Sequence, residues 1–147
     1  MILKYMSMLG WCLLLPLCST LPSQTAAPSG RRQAEKSIVF ELQASPKEVL
    51  PLFGPVRESD WSPAWKPSFI YPAAGSNTRE GTVFTTGRSD GGIAVWILVE
   101  YSLKRKIVRY AVVTADQSTA EIWVRLSPKP GNRTMVQVTQ RRTSLRA

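Results

Sequence analysis

Residues 69–142 read as a succession of short alternating or wholly apolar runs separated by turn signals, the pattern of consecutive antiparallel hairpins. The runs fall at residues 69–71, 82–88, 93–101, 107–114, 119–126 and 134–142. Between them lie the turns 77–81, Ser89-Asp-Gly-Gly92, Lys104-Arg105-Lys106, 115–118 and Pro128-Lys-Pro-Gly-Asn132. The glycines supply the positive φ that tight hairpins need, and the short connections make the runs a meander.

One strand and one helix precede the meander. Residues 36–43 alternate, with Ile38, Phe40 and Leu42 on one face, as in a half-buried strand. Ser45-Pro46 then starts a helix to about Phe53. Ser45 can cap it, Pro46 suits the first helical position, Glu48 completes a capping box, and Gly54-Pro55 ends it. A further helical turn at 56–60 is a weaker signal. Trp61 and Trp65 follow in the proline-punctuated loop Glu58-Ser-Asp-Trp-Ser-Pro-Ala-Trp-Lys-Pro67. A loop that buries two large aromatics closes over a hollow or caps a core.

The N-terminus has the layout of a secretory signal. Lys4 is its one charge, residues 9–21 are apolar, and small residues such as Ala26 and Ala27 follow. The apolar run is shorter than the ~20 residues of a spanning helix. An uncleaved anchor or a start codon placed too early are the competing readings. The expected organisation is a signal at 1–27, a flexible leader at 28–35 and one domain at 36–147, exported to the periplasm or beyond the cell.

This layout and the composition exclude several chemistries. Cys12 and Cys18 both lie in the signal, so the mature domain has no thiol for disulfides, catalysis or metal. The chain has no histidine, which removes Ser-His-Asp and Cys-His hydrolases by inventory. No metal and no cofactor are expected. The net charge of +9 is scattered over a linker, a turn and the tail. It suits solubility and weak attraction to a membrane surface, and no basic helix or aromatic signature points to specific nucleic-acid binding. Asn132-Arg-Thr134 matches a glycosylation sequon, a pattern frequent by chance.

The residues, taken in order, resemble the START-like (SRPBCC) superfamily of polyketide cyclase/dehydrase-like proteins, lipid-transfer domains and the major birch pollen allergen. The likeness runs from residue 36 to 145. It rests on Ile38 through Phe53 as first strand and Ser-Pro helix, on Trp61 and Trp65 after it, and on Gly81-Thr-Val-Phe84. It continues through Ala94-Val-Trp96 to Tyr101, residues 107–110 and Thr134-Met-Val-Gln-Val138. The resemblance implies an α+β helix-grip fold: a curved seven-stranded antiparallel sheet around a long C-terminal helix, with an apolar cavity between them. Members bind lipids, hormones or polyketides, and a minority catalyse cyclisation or dehydration.

The chain departs from that pattern at its end, since Ala147 follows soon after the last strand and no long C-terminal helix can be read. A bare concave face would lose on the order of 10 kcal/mol of burial at ~25 cal/mol per Å2, against a usual stability of ~5–15 kcal/mol. A marginal fold, or a homodimer covering the open sheet, is then expected.

Period-2 alternation puts Trp96, Leu98 and Glu100 on one face of their strand and Val95, Ile97, Val99 and Tyr101 on the other. Matched to the family, Trp96, Leu98, Tyr110, Val112, Ile122, Val124 and Val136 face inward, where ordinary core packing is the competing role. Trp61 and Trp65 are candidate rim residues, against packing of the helix–sheet junction. Glu58, Asp60 and Glu100 are the acids near this region. Glu100 is a candidate for orienting a ligand hydroxyl, or for pairing with an arginine such as Arg109. The function these residues favour is binding of a hydrophobic small molecule or lipid, without catalysis. The alternatives are a cyclase- or dehydratase-like enzyme using carboxylate or tyrosine, and a truncated remnant with no function.

Overall fold

The computed structural model describes residues 32–73 and 78–146. The signal at 1–27, residues 28–31 of the leader and the start of the 77–81 turn lie outside the described residues. Seven strands form one curved antiparallel sheet in the order β1-β7-β6-β5-β4-β3-β2. They are β1 Gln33–Leu42, β2 Ser68–Tyr71, β3 Val83–Gly87, β4 Ile93–Ser102, β5 Ile107–Thr114, β6 Ser118–Lys129 and β7 Arg133–Ser144. β2 to β7 are the meander, and β1 closes the far edge by pairing with β7 from Gln33↔Thr143 to Leu42↔Thr134. That register starts β1 inside the segment read as leader.

β6 runs past the proline that was expected to end it, with Pro128 opposite Thr134. Pairing with β5 stops at Arg125, so Pro128 sits where β6 has only one neighbour and its missing N–H breaks no ladder. The turn tightens to residues 130–132, with Gly131 at φ 76° and Asn132 at φ 54°. The Thr134 hydroxyl of the sequon is fully buried and donates to Ala44 O at 2.7 Å, which ties the β7 start to the α1 entry.

The helix after β1 is shorter than its pattern. α1 spans Pro46–Val49, and Leu50–Phe53 continues as a 3₁₀ turn. Pro51 is the cause, because it has no N–H for the α-helical ladder. The Glu48 carboxylate accepts from the Ser45 N–H (2.9 Å) and hydroxyl (2.7 Å). These bonds, the hydroxyl's first, hold its pKa below the ordinary value. The Glu48 N–H goes to the Ser45 carbonyl at 3.0 Å rather than to the hydroxyl. A second 3₁₀ turn follows at Arg57–Asp60. Among the described residues, helical structure is confined to 46–60, so this is a helix-grip sheet with one short helix.

The concave face is not bare, contrary to expectation. Leu98, Val108, Tyr110, Ile122, Val124 and Val136 are only 0–6 % exposed. α1 lies against β6 and β7, and the 3₁₀ turn after it lies against β5. Burial gives out only towards β1, where Ile38 is 42 % exposed. The large loss expected of an open sheet is therefore not incurred over most of this face.

Candidate functional site

Two rows of paired residues cross the concave face. One runs Phe84, Trp96, Val112, Ala120, Arg142, Ala34, and the next runs Leu98, Tyr110, Ile122, Gln140, Lys36. Both begin apolar at β3–β4 and turn polar at β7, at Arg142 and Gln140. Side chains of paired residues share a face, so the register alone sets up this gradient.

Where the rows approach the β3–β4 turn, they form the floor of an open groove of about 290 Å3. Trp65, Ala94, Trp96, Val112, Ala120 and Ile122 supply apolar surface. Ser62, Ser89, Thr114, Ser118, Gln140, Arg88 and Arg142 supply polar groups around it, and no acid lines it among the described residues. That size is at the lower end for a small-molecule pocket.

The aromatic residues are held as a packed cluster. Phe84 and Trp96 stack with centroids 5.8 Å apart, while Trp65 meets Trp96 edge-on at 5.1 Å and Tyr110 meets Trp96 edge-on at 5.8 Å. Each polar tip has an acceptor. Trp65 Nε1 donates to Pro55 O at 2.8 Å, Trp61 Nε1 to Leu52 O at 2.7 Å and Trp96 Nε1 to Thr86 Oγ1 at 3.0 Å. The Tyr110 hydroxyl donates to Phe53 O at 2.8 Å. Burial holds its pKa well above the ordinary phenol range, with smaller contributions from Glu58 and Tyr101. Trp65 and Tyr110 thus pin the 50–55 segment to the sheet, and Trp61 packs against that segment.

Of the residues singled out from sequence, Trp65, Trp96, Val112 and Ile122 come together in the groove. Trp61 lies outside its lining and packs on Phe53, with centroids 6.0 Å apart. Leu98, Tyr110, Val124 and Val136 are core residues that do not line it. The shared face expected of Trp96, Leu98 and Glu100 ends at Leu98. A β-bulge between Leu98 and Glu100 puts Glu100 opposite Arg109 and brings Tyr101 opposite the buried Val108. An extra residue in one strand flips every later side chain. Tyr101 therefore packs on the core side, half-buried, while Glu100 is itself buried at 7 % exposure. Arg105, rather than the expected Arg109, neutralises Glu100. Its Nη2 lies 2.6 Å from Oε1, off the axis of a hydrogen bond, so the contact is an ion pair.

Sequence reasoning named Glu58 only as an acid near this region and gave it no role. It belongs to the second 3₁₀ turn, is 5 % exposed, and its carboxyl has no hydrogen bond or ion pair among the described residues. Burial pushes its pKa up to about 8, so the group is mostly protonated at neutral pH. The one hint in the sequence is an acid between the apolar Val56 and Trp61.

The fold has counterparts among solved structures. A truncated norcoclaurine synthase from Thalictrum flavum aligns with TM-score 0.63 and 9 % identity, over 81 % of this chain and 80 % of that one. The major latex-like protein 151 of Panax ginseng aligns with TM-score 0.61 and 18 % identity, over 77 % and 80 %. CalU16 from Micromonospora echinospora gives 0.53 and 19 %, over 78 % and 69 %. The fold is START-like. At these identities the likeness establishes architecture, not activity. No family model and no curated protein sequence matches the chain. One norcoclaurine synthase structure is in complex with dopamine and hydroxybenzaldehyde.

Proposed function

We propose that the chain is an exported START-like domain that binds a hydrophobic small molecule or lipid in the groove and does not transform it. The observation that carries this reading is the groove itself, lined by the apolar Trp65, Trp96, Val112 and Ile122 together with a set of polar side chains. Apolar area supplies affinity there, and the polar groups select among ligands. The norcoclaurine synthase complex with dopamine and hydroxybenzaldehyde supports the binding part of this reading. Export rests on the signal-like pattern of residues 1–27.

Native mass spectrometry of protein from its own host tests both parts. The expected result is a mature mass beginning near residue 28 with a co-purified apolar molecule. Repeated preparations without any ligand, together with no binding of an apolar fluorescent probe, would sink the binding reading. An unprocessed mass would sink export.

One observation favours acid–base catalysis as a second reading: Glu58 is buried with a raised pKa and lies near Tyr110, whose phenol its ionised form would help keep protonated. If turnover of any bound compound is found, that reading requires Glu58→Gln to lose it.

A further inference from the structure

Charge at the groove is one-sided. Arg88 is spent on Asp90 at 2.9 Å, whereas Arg142 has no ion pair among the described residues. The acids that might have served it are engaged elsewhere. Glu35 holds Arg141, Glu41 holds Arg133, Asp60 holds Arg57 and Glu100 holds Arg105.

Lys36 adds a second uncommitted cation on the same face. It stands opposite Gln140, and Arg142 stands opposite Ala34 in the neighbouring row. Both Lys36 and Arg142 are exposed, and no ion pair forms at either among the described residues. The apolar end of the groove, at Trp65 and Trp96, is separated from Arg142 on β7 by β5 and β6, and from Lys36 on β1 by β7 as well. A ligand complementary to this surface is apolar at one end and anionic at the other.

We propose that the groove takes an amphiphile with a single carboxylate head, its apolar body against Trp96, Val112 and Ile122 and its carboxylate on Arg142, with Lys36 beside it. A guanidinium offers two parallel donors to one carboxylate, and the modest volume suits a small head group. This rests on the groove being the binding site, and it names the class of ligand.

The test uses the full chain, with decanoate and decanol as sub-micellar probes followed by tryptophan fluorescence, since Trp65 and Trp96 line the groove. Decanoate is expected to bind about tenfold more tightly than decanol, a difference typical of one charge-assisted contact. Arg142→Gln should remove that preference, so that the variant binds decanoate and decanol about equally. Lys36→Gln should reduce it by a smaller factor, and added salt should weaken decanoate alone. Both residues are exposed, so the variants should keep the wild-type melting curve. If decanol binds as tightly as decanoate, or Arg142→Gln leaves decanoate unaffected, the acidic-head inference is overturned while apolar binding stands. If neither probe binds, the binding reading fails as well.

Discussion

Glu58 shows how burial decides what a residue does. Its carboxyl is pushed from 4.5 up to about 8 by desolvation. Below pH 4.5 the folded and unfolded chains both hold the proton. Between about 4.5 and 8 the unfolded chain releases it and the folded chain does not, so stability falls as pH rises through that window. At pH 7 the loss is on the order of 3 kcal/mol, taking 1.36 kcal/mol per pKa unit. Urea unfolding of the wild type should therefore show a lower midpoint at pH 8 than at pH 5, and Glu58→Gln should flatten the difference. A wild-type midpoint that does not fall would show that the carboxyl is solvated. Nothing in the residue's identity announces this behaviour. Asp60, two positions on, lies half in solvent and pairs with Arg57 at 2.9 Å.

The strands were readable as elements because each carries its own period and its own turn chemistry. Their phase was readable only until an irregularity intervened. Alternation placed Trp96 and Leu98 correctly on one face, and the bulge before Glu100 reversed the remainder of β4. No residue type in Val99-Glu100-Tyr101 marks a bulge, since the extra residue is accommodated by pairing with β5. The helix erred in the opposite way, because Pro51 stood in plain view as a reason for α1 to stop at Val49. At the β6–β7 turn the local signal was decisive. Gly131 sits at φ 76°, and a Cβ there meets no backbone or buried side chain, so its cost is conformational alone. Gly131→Ala is expected to destabilise by about 1 kcal/mol, read as a lower urea midpoint with unchanged slope. A variant as stable as the wild type would mean that the turn relaxes to another geometry.

Across the whole molecule, the groove exists because small and large residues meet in one row. Ala120 stands between Val112 and Arg142, and its short side chain leaves room that Trp96 and Ile122 border. Ala120→Leu should fill part of the 290 Å3, cutting apolar-probe affinity about tenfold while thermal melting shows a folded chain. Undiminished binding would place the ligand elsewhere. The sequence by itself determined the kind of fold, because hydrophobic period, turn residues and the Ser45-Pro46 helix start are local properties that each segment carries alone. It also determined that the described residues contain no histidine and no cysteine. Only the tertiary structure decided which apolar residues became core and which became groove, since Leu98, Val124 and Val136 look the same in sequence as Val112 and Ile122. It alone brought Lys36 and Arg142, 106 positions apart by subtraction of their numbers, onto neighbouring rows of one sheet face. The reason is physical: β1 and β7 find each other through backbone hydrogen bonds, and that pairing decides which charges lie beside the groove.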